Sequence, residues 1–250
     1  PDISKMVLQT RHFISQIWGK LKDDQMAVSV PFINALTKVL ESSNVSTRRW
    51  TISDQCLKEL SNFPMDHREK PTPGYLVYKL IKMVTTKPDS IADEDSRRCL
   101  CIPLQSLDPL PRSLNLLKFI QQLNPFNRVS HRVLALHIFT QSPELIGYFF
   151  CQITRQFLQK PDMESLSPLL FISEVIDTPF PSYLEPSDNM SYELLFEMVL
   201  PSCLNVSYLN SLMMNNSFLV VKTALVILVK AVKKFQSLPP DFRTPTMYTK

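Results

Sequence analysis

Only three glycines are scattered along this 250-residue sequence, against twenty prolines. Tight hairpins need residues that adopt φ > 0 at little cost, and glycine is the default for that. A chain so poor in glycine cannot turn many hairpins, which argues against a β-rich fold. Proline punctuates differently: it fits the first turn of a helix and stops the one before it. The punctuation available therefore favours helices joined by Pro, Ser and Asn turns. A hydrophobic content of 44% leaves enough apolar material for a substantial core.

Apolar residues recur at helical spacing along most of the chain. Ile3, Met6, Val7, Ile14, Ile17, Trp18 and Leu21 form one stripe. Phe32, Ile33, Leu36, Val39 and Leu40 form a second after Pro31. Thr51 and Asp54 resemble a capping box ahead of Cys56, Leu57 and Leu60, and Pro73 opens a helix carrying Leu76, Leu80 and Met83. Stripes continue through Leu114, Leu117 and Ile120, then Val133, Leu134 and Ile138. SPEL, Ser142 to Leu145, starts a helix expected to reach Gln159. Further stripes follow at Leu166–Ile176, Tyr192–Val199 and Tyr208–Met213. The expectation is an all-α chain of about ten short helices, arranged as an irregular α-solenoid of the HEAT or armadillo kind. No fixed repeat period is visible. Loops are expected at Met65–Thr72, Lys87–Arg98 and Thr178–Asn189. Residues 1–250 read as a single helical-repeat domain, a piece of a much longer chain.

The most apolar stretch is SFLVVKTALVILVKAVKKFQ, Ser217 to Gln236. A membrane-spanning helix needs about twenty apolar residues, and here Lys222 interrupts a shorter run. At about 100° per residue, Lys222, Lys230, Lys233 and Lys234 fall within an arc of about 120°. The pattern predicts a helix capped by Ser217, buried on most sides, with one solvated basic edge and no membrane role.

Signatures of catalysis are sparse. Cys56, Cys99, Cys101, Cys151 and Cys203 offer one C-x-C pair and no second pair to complete a zinc site. Their spacing suits core packing. His131 and His137 are too far apart to share a helix face as a metal pair, and a capping or partly exposed role is expected for them. No G-x-S-x-G frames a nucleophile, and three glycines cannot build a phosphate-cradling loop. Neither an enzyme nor a bound cofactor is expected. Asn44, Asn189, Asn205 and Asn215 each begin an N-x-S sequon, read as chance in a chain rich in Ser and Asn.

Charge placement says more. The chain carries +4 overall, yet residues from 201 onward carry +5. The late lysines Lys222, Lys230, Lys233 and Lys234 are the first choice for contact with an RNA backbone, since each cation that meets a phosphate releases a counterion. Arg48 and Arg49, beside Trp50, are a second choice, with Arg97 and Arg98.

Specific phrases carry the reading further. LLKFIQQLNPFNRVSHRVLALHIFTQSPELIGYFF (Leu116–Phe150) and LSPLLFISEVIDTPFPSYL (Leu166–Leu184) come in that order, followed by a Leu-rich helix with a basic end inside Phe196–Phe235. Upstream stands KVLESSNVSTRRWTISDQCLKELSNF, Lys38–Phe63. In this order they resemble the nucleolar pre-ribosomal-associated protein 1 family. MMNNSF (Met213–Phe218) and Val221 depart from the basic character that family shows between its last two helices. The resemblance implies a nucleolar, non-enzymatic scaffold in early assembly and pre-rRNA processing of the large ribosomal subunit. Implied partners are pre-ribosomal particle proteins, including an RNA helicase, together with pre-rRNA and small nucleolar RNA. A protein-only adaptor without RNA contact is the alternative, and it requires an apolar groove facing outward between helices in place of a basic stripe. A helical hydrolase with a dispersed site would require polar side chains converging in one pocket.

Overall fold

The structure is a computed structural model, and it describes residues 13–21, 26–42, 54–70, 72–86, 111–143, 145–147, 149–150, 166–180 and 192–238. Among these residues every regular element is a helix and there is no strand. The helices are α1 (Phe13–Leu21), α2 (Met26–Ser42), α3 (Asp54–Asn62), α4 (Pro73–Thr86) and α5 (Pro111–Gln122). They continue with α6 (Val129–Gln141), α7 (Leu166–Ile176), α8 (Tyr192–Val199), α9 (Val206–Met213) and α10 (Phe218–Gln236). The all-α expectation holds. Two compact units account for them, one from Pro1–Asp93 with Pro111–Gln141 and one from Glu94–Leu110 with Ser142–Lys250.

In the first unit, helices pack on their second neighbours. α1 meets α3 and α3 meets α5, while α2 meets α4 and α4 meets α6. Two rows result, α1–α3–α5 and α2–α4–α6. Trp18 joins them: its ring lies edge-on to Phe32 of α2 at 6.0 Å and to Phe63, just after α3, at 6.2 Å. Ser61 adds a polar link across the α3–α5 contact by donating to Gln122 Oε1 at 3.3 Å. Cys56 is wholly buried in α3, and burial pushes its thiol up to about 12, so it packs as an inert apolar side chain.

Local chemistry accounts for the helix ends. Thr72 Oγ1 accepts the Tyr75 amide at 3.3 Å and Pro73 takes the first helical position of α4. Gly74 is required by close approach: a Cβ there would lie 2.3 Å from the Pro64 carbonyl oxygen. That contact lets the segment 63–70, matching the predicted loop, lie across the first turn of α4. One helix starts earlier than the spacing suggests. α2 begins at Met26 and runs through Pro31 instead of starting after it. The proline removes the hydrogen bond that Ala27's carbonyl would accept, and both residues are exposed, so that carbonyl is open to solvent.

The second unit is organised around one helix. α7, α8 and α9 each pack against α10. The core is aromatic where Phe149, Phe150 and Phe171 meet, with ring centroids 5.2 to 6.4 Å apart. Phe196 of α8 stacks on Phe235 of α10 at 6.3 Å. Asn205 caps α9 by accepting the Tyr208 amide at 2.8 Å. At α10 the capping expectation fails. Ser217 makes no side-chain cap, and Asn215 Oδ1 instead accepts the Ser217 amide at 2.8 Å. These two sequon asparagines therefore serve as turn acceptors; Asn44 and Asn189 lie outside the described residues. The continuation of the SPEL helix beyond residue 150 and the predicted loop at Lys87–Arg98 lie outside them as well.

Candidate functional site

α10 buries a seam, not most of its surface. Val220, Ala224, Ile227, Ala231 and Lys234 are its buried residues, spaced to form one narrow stripe. Two of the five are alanine, and small residues let neighbouring backbones come close. On the opposite side Phe218, Leu219, Leu225, Val226, Val229 and Val232 are exposed, from 39% for Val226 to 76% for Phe218. Met214, 86% exposed, precedes this face in the turn from α9. The expectation of a helix buried on most sides is thus corrected. Its apolar residues exceed what three neighbours on one side can cover.

The four lysines divide. Lys222 and Lys233 are exposed, and at 100° per residue they run along the middle of the outward apolar face. Lys230 is half-buried, pairs with Asp177 and donates to the Ser173 carbonyl at 3.2 Å, clamping α10 to α7. Lys234 lies in the seam at 8% exposure, with Nζ 5.1 Å from the centre of the Phe180 ring and no hydrogen-bond partner. Desolvation lowers its pKa to about 8, with Asp177 opposing the shift. The arc counted from sequence therefore holds two free cations and two cations engaged with the unit itself. Arg48, Arg49, Arg97 and Arg98 lie outside the described residues.

Elsewhere, His131 is 2% exposed, so of the capping and partly exposed roles expected for it the second does not hold. Its Nδ1 accepts the Asn124 amide at 3.0 Å, tying α6 back to the turn before it. Burial, with the charge of Arg128 nearby, lowers its pKa to about 4. Among the described residues no group of His, Cys, Asp and Glu is placed to hold a metal ion, and no helix is long and apolar enough to cross a membrane.

Residues 1–166 match the family model described as Npa1, ribosome 60S biogenesis N-terminal. The chain belongs to the Npa1 family. This bears out the resemblance to the nucleolar pre-ribosomal-associated protein 1 family and places the chain in 60S ribosomal subunit biogenesis. No curated protein and no solved structure matches the chain. The Npa1 match covers every described helix of the first unit and ends at the first residue of α7. Arg48, Arg49, Arg97 and Arg98 fall inside it, whereas α8, α9, α10 and all four late lysines fall outside.

Proposed function

We propose that the chain is a non-enzymatic helical scaffold in early large-subunit precursors, and that it holds a partner protein on the outer face of α10. In this reading residues 1–250 form one helical-repeat domain of the HEAT or armadillo kind. Packing on second neighbours in the first unit supports that, because stacked helix pairs make this contact pattern. The observation carrying the docking role is the exposed row of Phe218, Leu225, Val229 and Val232. Lys222 and Lys233 on the same face specify the partner's chemistry: an amphipathic helix with an apolar stripe and two carboxylates about three turns apart. The nucleolus, an RNA helicase among the partners, and association with pre-rRNA and small nucleolar RNA accompany this proposal through the family resemblance.

Lysine labelling within isolated pre-ribosomal particles tests it. Lys222 and Lys233 are expected to be protected in the particle and reactive in the free chain. Crosslinks from them should reach one helix of another protein, and Val229→Asp should release that protein. Unchanged reactivity in the particle would sink the proposal. Direct RNA contact is the second reading, favoured by the exposure of Lys222 and Lys233. It predicts RNA binding that falls steeply with salt and weakens on Lys222→Glu with Lys233→Glu. Binding indifferent to both changes removes it.

A further inference from the structure

α10 carries two seams, each alternating steps of three and four residues. The buried one, Val220, Ala224, Ile227, Ala231 and Lys234, is taken by the unit's own helices. The second is Phe218, Val221, Leu225, Leu228, Val232 and Phe235, and no position in it is polar. This alternation is the spacing by which one helix packs along another. At about 100° per residue the second seam is centred about 110° from the first, so the two lie side by side on one helix.

Exposure divides the second seam lengthwise. Val221, Leu228 and Phe235 are half-buried, while Phe218, Leu225 and Val232 are exposed. The half-buried row runs along the α8 side, because Phe235 stacks on Phe196 of α8 with the rings 19° from parallel. Phe196 is itself 54% exposed, although Leu195, Glu197, Met198 and Val199 around it on α8 are buried. An outward aromatic of α8 thus continues the apolar seam of α10 at its C-terminal end.

Charge selects the occupant. Lys222 and Lys233 are exposed on the flank of the seam that faces away from α8, and α10 contains no acidic residue. A second copy of α10 would bring more lysines and no acid. A helix with acids along one flank would pair with both lysines.

We propose that this second seam takes one helix of a partner protein in coiled-coil register. Phe196 and Phe235 meet one end of the partner's apolar stripe, and its carboxylates lie on the flank away from α8. The proposal deepens the docking role given to α10 and rests on it. It adds that the partner's apolar positions recur every three and four residues over about five turns, and that the contact extends onto α8.

Hydroxyl-radical footprinting tests it, comparing the free chain with the protein in isolated pre-ribosomal particles. Phe196, Phe218 and Leu225 should lose reactivity several-fold in the particle, while Leu219, exposed on the far flank, keeps it. Phe196→Ala should cut the crosslinks from Lys222 and Lys233 to the partner roughly tenfold. Leu225→Asp, at an exposed site on α10 itself, should do the same, and Leu219→Ala should not. Protection of Lys222, Lys233 and Leu219 with Phe196 and Leu225 unchanged overturns the seam and leaves the docking role standing. No protection anywhere on α10 sinks both. Protection that ribonuclease removes assigns the seam to RNA, and crosslinks from one α10 to another assign it to a second copy; either overturns the proposal. So does a crosslinked partner segment without the three-and-four spacing.

Discussion

The two units solve the same packing problem in different ways. In the first, each contact among the described helices joins a helix to its second neighbour, and bulky side chains such as Trp18, Phe119 and Phe139 are buried in the core. In the second, one helix serves three neighbours through a seam that includes Ala224 and Ala231. Bulky side chains fill wide gaps and saturate an apolar stripe. A narrow seam with alanine at two of its five positions leaves the larger apolar residues of α10 facing outward. The difference teaches where apolar surface is left over: the row-packed unit keeps its bulky side chains inside, and the single-helix hub leaves an apolar face outward.

Substitutions in the bulky core should be the most damaging. Trp18→Ala removes a ring that touches Phe32 and Phe63, and a cost of about 3–5 kcal/mol is expected by chemical denaturation. Val229→Ala on α10, which deletes exposed atoms, should stay within about 0.5 kcal/mol. A comparable loss at both positions would mean that α10's outer face is covered in the free chain.

Next in size are changes that overfill close contacts, one in each unit. Ala224→Leu should cost about 1–3 kcal/mol by forcing α10 away from its neighbours. Gly74→Ala is the sharper case. Alanine normally gains about 1 kcal/mol over glycine inside a helix, yet here its Cβ would meet the Pro64 carbonyl at 2.3 Å. Net destabilisation, with amide shifts confined to residues near 64–66, is expected. A stabilised variant would show that the loop gives way freely.

Helix identity was legible because the apolar spacing of Leu117, Ile120 and Leu123, or of Leu134 and Ile138, maps directly onto burial. Pro73 likewise marked the start of α4. Pro31 misled because a proline near an exposed helix start costs only one hydrogen bond, and the carbonyl it leaves is open to solvent. The lysines were harder to read. A helical wheel puts Lys230 and Lys234 on the same edge as Lys222 and Lys233, but it contains no neighbours. Asp177 and Phe180, more than fifty residues away in sequence, decide their roles. The close approach at Gly74 left a fainter trace still, because nothing near Pro64 or Gly74 in the sequence shows that the two backbones meet.

Buried ionisable groups extend the comparison to pH. Lys234 has a folded pKa of about 8, below the ordinary lysine value of 10.5, so the unfolded chain binds more protons between those values. Stability of the second unit should rise as pH climbs from 8 to 10.5, and the unfavourable charge burial is fully present below pH 8. Lys234→Met should flatten that rise and stabilise the unit at pH 7 by on the order of 2 kcal/mol. In the first unit, His131 near 4 against 6.5 has the same sign in another window, with stability falling as pH drops from 6.5 to 4. A pH profile of Lys234→Met that tracks the parent above pH 8 would place the amine in water and weaken the account of the seam.

The smallest effect separates the two kinds of lysine on α10. Lys230→Met removes the pair with Asp177 and the bond to the Ser173 carbonyl, in a partly exposed setting where an ion pair contributes about 0–1 kcal/mol. Lys222→Met removes an exposed cation from a face already apolar, and folding stability should not change measurably. In function the order reverses. Lys222 is free to meet a carboxylate or a phosphate on a partner, whereas Lys230 spends its charge on α7. Binding loss in Lys222→Met with intact stability, beside a small stability loss in Lys230→Met with intact binding, is the expected pair of results. Equal effects on partner binding would mean that Asp177 yields Lys230 in the complex, and that the basic edge reassembles only when something binds it.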